Sequence, residues 1–145
     1  MTDKSNGFFR RILVGYDGSS SAEKALEAAL AIASSLGSTV DVLSVVQLPE
    51  PATLPELHAM LDSAREHYET ELRRIAQAAN GNGIRLETDV AVGHPAEQII
   101  QRAEQIRADL IVIGHRGISK FEKLILGSVS ERVLSYAHCP VLVTR

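Results

Sequence analysis

Two glycine-bearing segments in the last third of the chain carry the residues best suited to hold a phosphate. Gly114-His115-Arg116-Gly117 is followed by nine residues and then by Gly127-Ser128-Val129-Ser130. Glycine lets a backbone approach a ligand closely. A helix that starts at Ser128 would leave its first amides without partners, and those amides and the helix dipole favour a bound anion. The pattern predicts a phosphate-binding loop.

The side chains of this region fit the same chemistry but also allow a simpler one. Ser128 and Ser130 supply hydroxyl donors, and four side chains add local positive charge to a chain of formal net charge −3: His115, Arg116, Lys120 and Lys123. Ser128 with Glu131 would also make a capping box, which a helix uses with no ligand present. Both interpretations remain open from the residues alone.

The hydrophobic pattern predicts the elements that would position this loop. Short apolar or alternating runs indicate strands, and apolar residues at helical spacing indicate helices. The predicted strands lie within 10–17 and at Thr39–Val46, Ile84–Val92, Asp109–Ile113 and Val141–Thr144. The predicted helices are Ser20–Leu36, with a Ser20–Glu23 capping box and Gly37 as its stop, Glu56–Ala79, Pro95 to about Arg107, and Ser128–Ala137. The prolines of 47–55 predict a loop there.

This alternation predicts an α/β fold, in which a parallel sheet carries helices on both faces. We expect one domain over residues 10–145, a flexible tail over 1–9, and the Rossmann-like strand order 3-2-1-4-5. The period-two pattern of Ile84–Val92 favours a half-exposed strand at a sheet edge. Ligands of open parallel sheets bind beyond the carboxyl ends of the strands. That rule selects the segments after Asp17, Val45 and Ile113.

These segments do not match the sequence motifs of other classes of phosphate-binding or phosphoryl-transfer site. No Walker loop occurs, and Gly15-Tyr16-Asp17-Gly18 does not continue into a dinucleotide fingerprint. A receiver domain would place several carboxylates after the first strand, where Asp17 stands alone. The remaining histidines do not have metal-ligand spacing, and the single cysteine, Cys139, excludes a disulfide framework and is expected to be a small buried apolar residue.

The composition of the chain limits its expected cellular location and the classes of partner that it can bind. The acidic balance argues against nonspecific binding of nucleic acid or of a membrane surface. No stretch approaches the roughly 18 apolar residues of a membrane span, and the polar residues 1–7 contain no apolar core of a signal peptide. We therefore expect a cytoplasmic protein that contacts neither nucleic acid nor membrane.

The chain as a whole resembles the ATP-binding members of the universal stress protein family. The spacing Gly114-x2-Gly117-x9-Gly127-Ser128 is similar to the glycine signature of that group. The first strand and turn, the strand at 109–113 and the ending Cys139-Pro140-Val141 are similar to family segments in the same order. The resemblance covers nearly the whole chain; His115-Arg116 departs from the Ser-His or Ser-Arg expected between the first two glycines.

The resemblance implies a role for each matching position. Asp17 would contact the adenosine end of ATP, Gly15 would leave room beside it, and the backbone of Val45 would bond adenine. The glycines Gly114, Gly117 and Gly127 would line the ribose and phosphates. Ser128, with the amides of Val129 and Ser130, would hold the outer phosphates, and Mg²⁺ or Mn²⁺ would accompany the nucleotide.

The function implied is a nucleotide-dependent switch in signalling or stress response, with no catalytic residue. Two alternatives stay open: a slow ATPase of the same fold, and an interaction protein that binds no nucleotide. The apolar strand Val141–Thr144 at the chain's end would be an exposed edge, and exposed edges pair with other chains. Together with the resemblance, this strand implies a homodimer.

Overall fold

The structure is a computed structural model that describes residues 7–47, 54–115 and 126–145. Five strands alternate with four helices over these residues. The strands are β1 (Arg11–Gly15), β2 (Thr39–Val46), β3 (Leu86–Val92), β4 (Leu110–Gly114) and β5 (Val141–Thr144). The helices are α1 (Ser20–Leu36), α2 (Leu54–Gly81), α3 (Pro95–Ile106) and α4 (Ser128–Tyr136).

The strands form one parallel sheet in the order β3-β2-β1-β4-β5, which confirms the predicted fold. Leu13 of β1 pairs with Asp41 of β2 on one side and with Ile111 of β4 on the other. The chain leaves β1 toward β2 but later returns beside β1 as β4, so the strand order reverses between β1 and β4. In open sheets of this kind, that reversal opens a crevice at the carboxyl ends of the strands.

Apolar residues pack on both faces of the sheet. On one face α1 and α2 cover residues such as Val14 and Val42, which are 0% and 1% exposed. On the other face α3 and α4 cover residues such as Leu13 and Ile111, both 0% exposed. β3 lies at the edge of the sheet, as predicted, but its exposed residues, 87–89, are consecutive rather than alternating. The two buried faces account for the near-continuous apolar runs of β1 and β4.

The helix boundaries follow local chemistry, with corrections to the prediction. Gly37 ends α1 with φ 72°, as expected, but the N-cap of α1 is Ser19 rather than Ser20, and its side chain accepts from the Ala22 amide. Helix α2 begins at Leu54, so Pro55 lies inside the helix and not in the predicted loop. A proline is tolerated there because an amide in the first helical turn has no helical partner.

Helix α2 is longer than the sheet that it covers. Its 28 residues span about 42 Å, whereas the seven residues of β3 span about 23 Å. Its last turn closes with a local bond, in which the Ile84 amide donates to the Ala79 carbonyl at 3.0 Å shortly before β3 begins. Helix α2 is roughly twice as long as β3, against which it packs.

Two further expectations can be compared with the described residues. Cys139 packs against the second core face but is only partly buried, so the expectation of a small buried apolar residue is met in part. Burial, and then the nearby Asp109 charge, raise the pKa of its thiol. Across the described ranges, no helix is both long and apolar enough to cross a bilayer. Of the tail expected over 1–9, residues 1–6 lie outside the described part.

Candidate functional site

The candidate site lies at the carboxyl ends of β1, β2 and β4. The β1–α1 turn contributes Asp17, the end of β2 contributes Val45, and the end of β4 contributes Gly114 and His115. Helix α4 begins nearby, because the Gly127 amide donates to the His115 carbonyl at 2.9 Å. Residues far apart in the chain therefore meet at the strand reversal, where the sequence rule placed them.

The turn that carries Asp17 is fixed by backbone and side-chain bonds. The Tyr16 amide donates to the Leu43 carbonyl at 2.9 Å, and the Ser44 hydroxyl donates to the Tyr16 carbonyl at 2.7 Å. Oδ1 of Asp17 accepts the Ser19 amide at 2.9 Å. One carboxylate oxygen is thus committed to the turn, which orients the partly exposed Asp17 side chain.

The Val45 backbone faces this turn. The carbonyl of Leu43 points toward β1, and the carbonyl of Val46 points toward β3, where it accepts the Gly93 amide at 2.9 Å. Since alternate strand residues direct their backbone groups to opposite neighbours, those of Val45 point the same way as those of Leu43. The ladder with β1 ends at Gly15–Leu43, so the Val45 groups face the space beyond β1.

Gly15 and Gly114 make room for protein rather than for open space. A Cβ atom on Gly15 would lie 2.9 Å from Cδ1 of Ile99 and 3.2 Å from Cγ2 of Ile113. A Cβ atom on Gly114 would lie 2.8 Å from the carbonyl carbon of Ser21. Both glycines therefore allow helices α3 and α1 to pack tightly on the strand ends, a reason that the sequence pattern did not reveal.

The start of α4 differs from the capping box that the sequence allowed. Gly127 is the N-cap, with φ −61° and ψ 153°, and no side-chain hydrogen bond caps the helix. Ser128 is therefore the first helical residue, exposed at the surface, and the capping interpretation of Ser128 with Glu131 is wrong. Within the described ranges the first amides of α4 have no side-chain cap, an arrangement that favours an anion.

Ser130 faces inward rather than toward the helix end. Its side chain is 3% exposed, and its hydroxyl donates to the Gly114 carbonyl at 2.7 Å. It also lies 3.4 Å from the His115 carbonyl oxygen. The hydroxyl that the sequence offered as a phosphate donor thus joins α4 to the end of β4, while Val129, partly buried, packs against the second core face.

Part of the glycine signature falls outside the described residues. Arg116, Gly117, Lys120 and Lys123 lie between residues 115 and 126, so the structure gives no position for them. His115 is described and is 9% exposed, with its amide donating to the Thr144 carbonyl. The backbone of His115 thereby holds β4, β5 and the start of α4 together.

Two tyrosines near Asp17 were not singled out by the sequence. Tyr16 is 4% exposed and donates its hydroxyl to Glu23; burial, and then this bond, raise its pKa. Burial, and then the charge of Asp17, raise the pKa of Tyr68 on α2. The signal available in the sequence was the apolar stripe of α2, which includes Tyr68 at a position facing the sheet.

The remaining histidines lie on different elements. His58 and His67 lie on α2, His94 precedes α3, and His138 lies between α4 and β5. Within the described ranges, no group of three or more histidine, cysteine or acidic side chains could hold a metal ion.

The comparisons with known proteins agree with this fold. The family model described as the universal stress protein family matches residues 8–145. A universal stress protein of Methanocaldococcus jannaschii is 33% identical over 140 residues, which cover 94% of this chain and 82% of that protein. The structure of a universal stress protein from Lactobacillus plantarum superposes with a TM-score of 0.89 at 30% identity, covering 97% of this chain and all of that one.

Two more distant structures were solved with nucleotides. A universal stress protein in complex with cAMP has a TM-score of 0.74 at 23% identity and covers 96% of this chain and 99% of its own. One from Archaeoglobus fulgidus in complex with dAMP has a TM-score of 0.66 at 22% identity, with 96% and 100% covered. At these identities the likeness concerns the fold.

Proposed function

Because the chain belongs to the universal stress protein family, we propose that it binds ATP at the carboxyl ends of β1, β2 and β4 and acts as a nucleotide-dependent switch in signalling or stress response. The observation that carries this proposal is the uncapped start of α4 beside the end of β4. Gly127 is the N-cap, and no side chain of the described residues caps α4, so the amides of Ser128, Val129 and Ser130 would be the donors to phosphate oxygens.

The adenosine half of the ligand would lie between the Asp17 turn and the end of β2. The second carboxylate oxygen of Asp17 is an acceptor for a ribose hydroxyl, since Oδ1 already accepts the Ser19 amide. The Val45 backbone offers a donor and an acceptor, which match the polar edge of adenine. The cAMP and dAMP complexes of two structural neighbours support an adenine ligand for this fold.

The phosphates would lie between the β4 end and α4. Gly114, His115, Arg116, Gly117, Gly127 and Ser128 complete this half of the proposed site. The exposed hydroxyl of Ser128 adds a donor beside the amides. A Mg²⁺ or Mn²⁺ ion would enter on the phosphates of ATP, where it offsets their charge. The cation supplies charge neutralisation; the chain's own amides set the position of the outer phosphate.

We propose a switch function rather than turnover on the chemistry of the described site residues. Hydrolysis of the γ-phosphate needs a group that positions or deprotonates a water. Asp17 belongs to the adenosine half of the proposed site, and the inward hydroxyl of Ser130 is engaged with Gly114. We propose a cytoplasmic protein whose free and ATP-bound forms differ in partner choice.

A homodimer through β5 is part of the proposal. β5 is an edge strand of uncharged residues, and Leu142 on it is 38% exposed. Leu134 and Tyr136 of α4 add exposed apolar surface, at 44% and 68%. The opposite edge, β3, exposes Glu87 and Asp89, and charged side chains discourage edge pairing.

The nucleotide content of freshly purified protein tests the central claim. Denaturing the protein and analysing the released small molecules should give ATP or ADP near one per chain. If the protein is empty, isothermal titration with ATP and Mg²⁺ should give one site per chain. An empty protein that takes up no added ATP would sink the proposal and favour an interaction module without nucleotide, and turnover of many cycles per second would favour an enzyme.

A further inference from the structure

Three buried serines in the described part of the chain share one chemistry. Ser38, Ser44 and Ser130 are 4%, 0% and 3% exposed. Each donates its hydroxyl to a backbone carbonyl oxygen: Ser38 to Phe9, Ser44 to Tyr16 and Ser130 to Gly114. They differ in location, because Ser38 lies at the amino edge of the sheet whereas the other two lie at the carboxyl edge.

Ser44 bonds the turn that presents Asp17. It lies on β2 among apolar core residues, where an alanine or valine would satisfy the hydrophobic pattern equally well. Its hydroxyl donates at 2.7 Å to the carbonyl of Tyr16, the residue that precedes Asp17. The Tyr16 amide is held from the same strand by the Leu43 carbonyl. Both peptide groups flanking Tyr16 are thus fixed to β2, so the direction in which the chain leaves β1 is set by two bonds.

Ser130 bonds the helix whose amides face the phosphate half. It is the third residue of α4, and its 2.7 Å bond to the Gly114 carbonyl joins the first turn of the helix to the last residue of β4. The Gly127 amide adds a second bond to the same strand end through the His115 carbonyl. The direction of the first α4 amides therefore depends on this inward hydroxyl.

We infer that Ser44 and Ser130 are positioning residues for the two halves of the site, with Ser44 fixing the adenosine half and Ser130 the phosphate half. The inference rests on the proposed function and deepens it. Neither side chain touches the nucleotide in this arrangement. Each satisfies a carbonyl that its own alanine variant would leave without this partner, and a small rotation of the freed segment would move Asp17 or the α4 amides away from their ligand groups.

A series of ligands separates the two roles. Titration calorimetry of adenosine, AMP and ATP with Mg²⁺ is compared among wild type, Ser44→Ala and Ser130→Ala. Ser44→Ala should weaken binding of all three ligands by a similar factor, about three- to tenfold, because each contains adenosine. Ser130→Ala should weaken ATP about tenfold and adenosine less than about twofold, because only the phosphates contact α4.

Ser38→Ala is the matched control. It removes the same kind of buried hydroxyl bond at the far edge of the sheet, so it should lower the urea midpoint to a similar extent and leave all three affinities unchanged. Should Ser44→Ala fail to fold, Ser44→Cys has nearly the same volume and a weaker donor, and takes its place in the series.

The outcomes separate the two claims. If Ser44→Ala and Ser130→Ala both leave the affinities unchanged, as Ser38→Ala does, or if Ser130→Ala weakens adenosine binding as much as ATP binding, the inference is wrong while the nucleotide site stands. If wild type binds none of the three ligands, the proposed function falls and the inference falls with it. A phosphate-dependent loss in Ser130→Ala alone, with a uniform loss in Ser44→Ala, supports both.

Discussion

Gly114 lies so close to Ser21 that a Cβ atom on Gly114 would sit 2.8 Å from the carbonyl carbon of Ser21. This contact joins the end of β4 to the first turn of α1, and the Thr144 hydroxyl donates to the Ser21 carbonyl at 3.0 Å from β5. A glycine of the nucleotide signature is therefore also a packing residue. Substitution of Gly114 should therefore change the stability of the fold as well as any binding of ligand.

Gly114→Ala should destabilise the protein by about 1–3 kcal/mol, because the added methyl group meets backbone that cannot move aside easily. Gly81→Ala is the control, since a Cβ atom there would meet nothing within 4 Å and φ is not positive. Alanine favours the helix, so Gly81→Ala should be neutral or slightly stabilising. Urea unfolding followed by circular dichroism measures both; equal stability of the two variants would contradict the packing role.

Gly15→Ala should destabilise the protein, and a second substitution should recover part of the lost stability. The new methyl would lie 2.9 Å from Cδ1 of Ile99, and Ile99→Val removes that atom. We expect about 1–2 kcal/mol of destabilisation for Gly15→Ala, and a double variant more stable than the sum of the single changes predicts. A double-mutant cycle by urea unfolding gives the coupling, and strict additivity would show that the two residues do not compete for space.

Gly127→Asp should both stabilise helix α4 and weaken the binding of ATP. The backbone of Gly127 has an ordinary φ of −61°, so an aspartate can occupy it without strain. Its carboxylate would cap the first α4 amides, adding roughly a few tenths of a kcal/mol relative to glycine, and would repel phosphate from the same groups. Titration calorimetry should show at least about a tenfold loss of ATP affinity.

Gly127→Asn is the control for charge, because it offers a cap of similar size that is neutral. It should stabilise α4 to a similar extent and weaken ATP less than Gly127→Asp does. If both variants bind ATP as wild type does, the α4 amides are not the phosphate site.

Leu142→Lys should convert the proposed dimer to a monomer. Leu142 lies on the uncharged edge strand β5, and a lysine there would place like charges together across a two-fold interface. Thr88→Lys introduces the same charge on the exposed β3 edge and should leave the dimer intact. Sedimentation of each protein at micromolar concentration measures the mass; a monomeric wild type would refute the dimer.

Ionisation of Tyr16 should lower the free energy of unfolding at alkaline pH. Burial raises the pKa of Tyr16 above its ordinary value of about 10, so the folded state favours the neutral phenol. That contribution is fully present below pH 10 and is lost as the pH rises through the folded-state pKa. Tyr16→Phe should therefore flatten the decline of unfolding free energy above pH 10, while costing about 1 kcal/mol at pH 8 through the lost bond to Glu23.

Urea unfolding at several pH values between 8 and 11 tests this. Tyr136→Phe, at a tyrosine that is 68% exposed, is the control and should keep the alkaline slope of wild type. Identical slopes for all three proteins would remove Tyr16 as the source.

The sequence by itself determined the fold and the neighbourhood of the site. Apolar runs of buried strands and the spacing of helix faces are local signals, and their alternation leaves few topologies other than a doubly covered parallel sheet. The carboxyl-edge rule then predicted that Asp17, Val45 and Gly114 lie at one edge of the sheet. The position of Gly37 as a helix stop was equally local, because only its own φ of 72° is at issue.

Only the tertiary structure decided what several of these residues do. A pattern of glycines does not show whether the missing side chain makes room for ligand or for a helix, and here Ile99 and Ser21 fill the space. The same holds for hydroxyls: Ser130 matched a phosphate donor in sequence, yet it bonds Gly114, sixteen residues away. Such partners are set by how elements pack across the sheet, which adds contacts that no local pattern encodes.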